Sequence, residues 1–172
     1  MITRIPRYIL SFFFFVLFQV FILNKIELSG YLNPFLYILF IVTLPFETPK
    51  WLLLVLGAIL GLSVDLFLNS AGMHMAACVL IAYLRPFILR SFAPRDSYEV
   101  GTLPLPNYYG FAWFAKYAIT LIIIHHFFYF FIESFGVETF VSTIVKTAFS
   151  SIFTLLIMLI ALLFTYSRKR RI

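Results

Sequence analysis

Charged residues are what this chain has least of. They make up 12% of 172 residues, against about a quarter in soluble domains, which excludes an ordinary water-soluble globule. Acid is scarcer than base, with seven Asp and Glu against thirteen Lys and Arg, so the paired carboxylates of a hydrolase have little to be built from. The single cysteine, Cys78, excludes an intrachain disulfide framework and a thiolate zinc site, and its apolar surroundings mark it as a small packing residue. Of the three histidines, His125 and His126 are adjacent and project about 100° apart on a helix, which does not suit gripping one metal. No glycine-rich phosphate loop is present, which removes nucleotide hydrolysis. No Ser/His/Asp set supplies a nucleophile, so neither an enzyme nor a cofactor is expected.

What is there is apolar. Hydrophobic residues reach 63%, aromatic residues 20% and the mean hydropathy +1.02, the composition of an integral membrane protein, all-α because a closed helix satisfies its own backbone in lipid. The length suits a single membrane domain of about six transmembrane helices, over residues 8–23, 28–46, 51–68, 73–92, 111–132 and 140–166. The first run is longer than a signal-peptide core and ends in Asn24-Lys25-Ile26-Glu27 without a small-residue cleavage site, so it is expected to be a retained span. Residues 34–46 alone would make a helix of only about 20 Å, short of the ~30 Å hydrocarbon core. Starting at residue 28 supplies the length, with Gly30 and the Asn33-Pro34 step as a kink or re-entrant break that neighbouring helices must satisfy. The polar patch from Asn69 to Gly72 separates the third and fourth spans, and Arg85-Pro86 is expected to end or kink the fourth. Pro94, Pro104 and Pro106 keep residues 93–110 from forming one helix.

With six spans, one side of the membrane receives Arg4, Arg7, Lys50, Arg85, Arg90, Arg95, Lys116 and the terminal Arg168, Lys169, Arg170 and Arg171, while the other receives Lys25 and Lys146. The positive-inside rule puts the crowded side, with both termini, in the cytoplasm. Basic residues placed at segment ends are a topological signal, and no nucleic-acid partner is implied.

Asp65 is the one acid deep inside an apolar segment. Gly57, Gly61 and Asp65 recur every four residues, so two bare backbone positions and a carboxylate share one helix face, suited to close approach by another helix. A charge in the bilayer costs at least ~2.5–3.5 kcal/mol, so Asp65 either fixes helix packing through hydrogen bonds or serves as a ligand or proton site. Fourteen residues from Trp51, it lies about 21 Å across the membrane, in the outer half. Asn69 and His74 complete the possible polar site: His74 is either a loop histidine at the interface or a return partner for Asp65. Gly72 lies at the turn between them. In the last span Thr143, Thr147, Ser150, Thr154, Met158, Ala161 and Thr165 form a small, weakly polar stripe, for packing against another span or a partner protein.

The string Gly61-Leu62-Ser63-Val64-Asp65-Leu66-Phe67, followed by Gly72-Met73-His74 and by Ile81-Ala82-Tyr83-Leu84 leading to a basic kink, resembles MreD, the small membrane subunit of the bacterial rod-shape machinery. The likeness is strongest over residues 57–90 and compositional elsewhere. It implies a non-enzymatic elongasome subunit of the bacterial inner membrane, partnering an MreC-like periplasmic coiled-coil protein, the wall-synthesising RodA and its transpeptidase, and MreB filaments at the cytoplasmic face. MreD-like proteins in turn resemble the substrate-binding S components of energy-coupling-factor vitamin transporters, with six spans and an outward pocket, which makes such a carrier the alternative. A carrier needs several polar and aromatic groups around its outer cavity. Asp65, Asn69 and His74 are nearly the whole polar inventory there, which favours the scaffold.

Overall fold

The computed structural model describes residues 5–25, 32–95, 97–134 and 140–169. Long runs of Leu, Ile, Phe and Ala, punctuated by Gly, Pro and Asn, give α1 (Ile5–Phe21), α2 (Ile38–Thr43), α3 (Lys50–Leu68), α4 (Met73–Ser91), α5 (Pro106–Tyr109), α6 (Phe111–Glu133) and α7 (Phe140–Lys169), and no strand among the described residues. Five of these regions are long and apolar enough to cross a bilayer: α1 with its following turn, α3, α4, α6 and α7. The chain is therefore an all-helical, multi-pass membrane protein.

The sequence-expected span over residues 28–46 takes a different form. Residues 26–31 lie outside the described residues, and from Asn33 to Tyr37 the chain is irregular before it enters the six-residue α2. Proline 34 explains the break, since it disfavours helical geometry in Asn33 and cannot donate a backbone hydrogen bond. Yet residues 34–42 are the longest unbroken buried run among the described residues, and Tyr37, Ile38, Ile41 and Val42 have no exposure at all.

Its course is set by its neighbours. The Phe21 and Phe67 rings meet at 6.1 Å, so the C-terminal ends of α1 and α3 lie side by side. The chain between them must come back. Gln19, late in α1, bonds the segment at Pro34 and Leu36, whereas the earlier Phe12 meets Phe40 at 5.5 Å, so the segment descends antiparallel to α1. Extended residues rise about 3.3 Å each against 1.5 Å in a helix, so the irregular stretch covers depth that so short a helix could not.

Pro86 neither ends nor visibly interrupts α4, which continues to Ser91. Beyond it, residues 97–110 fold over one end of the bundle through aromatic contacts. Tyr98 stacks on Phe46 at 4.2 Å and its hydroxyl donates to Leu89 O at 2.6 Å. Trp113 Nε1 donates to Phe92 O at 2.9 Å, and Gly101 N to Glu47 Oε1 at 2.7 Å. Partial burial, then the nearby Tyr117 and Tyr109 hydroxyls, push the Tyr98 hydroxyl up to about 12.

Candidate functional site: a polar interior around a broken segment

The α3–α4 seam is built on its glycines. A Cβ at Gly61 would stand 2.5 Å from His74 O and Met75 N, and at Gly57 3.0 Å from Cys78 O. Only bare backbone lets the two helices lie this close. At the top of the seam Asp65 meets the first turn of α4. Its Oδ1 accepts from Ser70 Oγ at 2.5 Å and from His74 N at 3.1 Å, and its Oδ2 accepts from Met75 N at 2.9 Å. His74 and Met75 are the second and third residues of α4, whose amides have no partner within the helix, and the cap residue Gly72 has no side chain to offer them. Asp65 thus caps the next helix from the previous one, its two oxygens placed at the positive end of the helix dipole.

Of the three residues grouped as a possible polar site, the structure joins Asp65 and His74 through the His74 backbone. Asn69 is exposed and supplies a left-handed turn (φ 54°) after α3, and Gly72 (φ 87°) supplies another before α4. The His74 side chain is only 1% exposed, so it is not an interface histidine. Its ring points to Tyr37, not to the carboxylate.

The broken segment takes its missing backbone partners from side chains of four helices. Gln19 of α1 serves the segment twice, its Nε2 donating to Pro34 O at 2.9 Å and its Oε1 accepting from Leu36 N at 2.8 Å, while Nε2 also donates to Asn24 Oδ1 at 2.7 Å. From α7, Ser150 Oγ accepts from Asn33 N at 3.0 Å and Thr154 Oγ1 from Phe35 N at 3.1 Å. Below, Tyr117 of α6 donates to Val42 O at 3.1 Å. The Arg85 guanidinium of α4 donates to Leu44 O and Pro45 O, and through Nε to Tyr117 Oη at 2.9 Å. Arg85, expected from sequence at a basic kink, is 1% exposed and clasps the two carbonyls that follow α2, Leu44 O and Pro45 O.

At the centre, Tyr37 Oη lies 2.7 Å from His74 Nδ1 and 3.0 Å from His125 Nε2. A phenol donates one hydrogen, so with both rings neutral one imidazole accepts from Tyr37 and the other donates to it. Cys78 Sγ is 3.9 Å from His125 Nε2. His126 places Nδ1 2.9 Å from Ile122 O and Nε2 3.1 Å from Thr154 Oγ1. Donation to the carbonyl leaves Nε2 as the acceptor for the threonine hydroxyl, so Thr154 is satisfied on both sides. The Phe35 ring fills the space among the three histidines and Tyr129, with centroids 4.9–5.7 Å away. In the sequence the histidine pair stands out only as an unsuitable metal site, and Gln19, Tyr37 and Tyr117 belong to no motif. Polar residues inside apolar runs were the available signal. Among the described residues no three metal-ligating side chains converge.

The α7 stripe faces inward. Thr143, Thr147, Ser150, Thr154 and Met158 are all buried, Ala161 is half-buried, and the Thr165 side chain lies outside the described residues. Thr143 Oγ1 meets Ser134 Oγ at 3.0 Å, and Lys146 pairs with Glu133 at 3.7 Å. Comparison with protein-family models, with curated proteins and with solved structures finds no match to this chain.

Proposed function

We propose that this chain is a non-catalytic scaffold subunit of a bacterial inner-membrane complex, of the class that MreD represents in the rod-shape machinery. The observation that carries the reading is where the interior polar groups are directed. Asp65, Gln19, Arg85, Tyr117, Ser150 and Thr154 each bond backbone of the chain itself. A carrier of a polar vitamin would direct such groups into an outward cavity; a scaffold uses them to hold one rigid shape. The Gly61 to Asp65 string and the Gly72-Met73-His74 turn, which carry the likeness to MreD, are the residues that build the α3–α4 seam.

In this proposal the chain crosses six times, the second crossing being the broken segment, and both termini are cytoplasmic. The adjacent C-terminal ends of α1 and α3, which require the chain between them to travel back, support the first point, and the basic residues crowded at one end support the second. A reporter active only in the periplasm, fused after Ile172, is expected to be silent; activity there would defeat the topology.

Function is tested in a rod-shaped bacterium lacking its own MreD. The chain should restore rod shape and co-purify an MreC-like protein together with RodA and its transpeptidase, with MreB filaments recovered under milder extraction. Normal membrane level with round cells and no such partner would overturn the proposal. A vitamin retained by the purified protein would transfer it to the S-component class.

A further inference from the structure

Between α3 and α4, on the outside of the seam, runs an open apolar groove of about 570 Å³ lined by Leu54, Met75, Ala76, Val79, Leu80 and Tyr83. The glycine contact explains it: the two backbones meet behind, and the small Ala76 leaves the front unfilled. Its length is informative. Met75 stands at the level of Gly61, eleven residues along α3 from Lys50, or about 16 Å, close to half of the ~30 Å hydrocarbon core. The groove is one leaflet deep.

Two cations stand at its mouth, while Glu47 in the preceding turn is taken up by Gly101 N. Lys50 lies one helical turn before Leu54 on the same face of α3, and its ammonium stands 5.9 Å from the centroid of the Phe87 ring. Phe87 in turn meets Tyr83 at 5.5 Å. On α4, Tyr83, Phe87 and Arg90 recur at steps of four and three, so Arg90 stands on the groove's face just beyond its end. Lys50 and Arg90 are both exposed, and neither has an ion-pair partner among the described residues. A slot for one hydrocarbon chain thus ends between two cations that make no ion pair among the described residues, at the depth where headgroups lie.

We propose that this groove binds one anionic phospholipid, an acyl chain lying along Leu54, Ala76 and Val79 and the phosphate seated between Lys50 and Arg90. Apolar contact alone selects no lipid, because neighbouring chains are as apolar as the groove; the two cations supply the preference. The site is independent of the scaffold reading and asks only that the helices lie in a bilayer.

The test is native mass spectrometry of the detergent-solubilised full chain, incubated in mixed micelles with phosphatidylglycerol or with phosphatidylcholine. One phosphatidylglycerol should be retained with roughly fivefold preference for each cation engaged. Lys50→Gln and Arg90→Gln should each remove about that factor, whereas Lys116→Gln, on α6, should leave the preference unchanged. Ala76→Phe, which fills the slot, should lower retention of both lipids. The glutamine variants change only exposed side chains, so they remain informative if Ala76→Phe does not fold. Equal retention of the two lipids, or an unchanged preference in the Lys50→Gln/Arg90→Gln double variant, would overturn the proposal. So would displacement of the lipid by water-soluble glycerol phosphate, which would mean a headgroup site without an acyl slot. Loss of a protein partner in Ala76→Phe with lipid retention intact would assign the groove to a helix instead.

Discussion

Replacing Gln19 by leucine should cost more stability than any other single polar substitution in α1. The glutamine amide serves Pro34 O and Leu36 N together, and both belong to backbone that has left helical geometry and has no local alternative. Each buried backbone group left without a partner costs about 1–3 kcal/mol, so the pair predicts about 2–6 kcal/mol. Polar contacts between membrane helices measure lower, about 0.6 kcal/mol on average, because side chains on intact helices find other partners when separated. The Gln19 partners are fixed main-chain groups on a broken segment, so the higher figure should govern. The assay is reversible unfolding of the purified protein in mixed detergent and dodecyl sulfate micelles, followed by circular dichroism. Thr120→Val is the control, since its hydroxyl bonds Lys116 O inside its own helix at 2.8 Å. If Gln19→Leu and Thr120→Val shift stability equally, within about 0.5 kcal/mol, the broken segment does not depend on this amide and the reasoning fails.

Gly61→Ala should destabilise by about 1–3 kcal/mol, because its Cβ would meet backbone that must move; Gly57→Ala should do less, and Leu62→Ala, at 44% exposed, should be near neutral in the same unfolding assay. At Asp65 both oxygens are used, and asparagine offers only one acceptor while turning a donor toward an N–H. Asp65→Asn should therefore lose about 1–2 kcal/mol and Asp65→Leu about 3 kcal/mol or more; equal losses in stability would refute the capping role. Tyr98, raised to about 12, favours the protonated hydroxyl in the folded state. Its contribution is complete below the ordinary tyrosine value of 10.0 and should fade as pH rises from there through 12; difference absorbance of tyrosinate that Tyr98→Phe removes only from an ordinary, lower-pH step would contradict the docked loop.

The apolar helices were legible because each is a long run with punctuation at its ends, and the Gly57, Gly61, Asp65 face because spacing alone puts them together. The break at Asn33-Pro34 was legible too, along with the demand that neighbours satisfy it. Which neighbours do so was not. Ser150 and Thr154 reach the segment from 117 and 119 residues away, and Gln19 is one polar residue in a phenylalanine-rich helix. Arg85 misled for a physical reason: a basic residue before a proline looks like a membrane border, but the turn after α2 comes within its reach and presents the carbonyls of Leu44 and Pro45 to it. His125 and His126 diverge, as adjacency requires, and the divergence lets them serve Tyr37 and Thr154 separately.

The dependence of residues 33–37 on α7 also orders the birth of the protein. The amides of Asn33 and Phe35 wait for hydroxyls translated 117 and 119 residues later, at synthesis rates of about 5–20 residues per second an interval of roughly 6–24 s. Through that interval the nascent chain holds a broken segment with unmet backbone groups, which must be sheltered by the insertion machinery or stay outside the hydrocarbon. A chain cut short before α7 would keep its first helices yet never close its centre, presenting membrane proteases with a ready mark of failure.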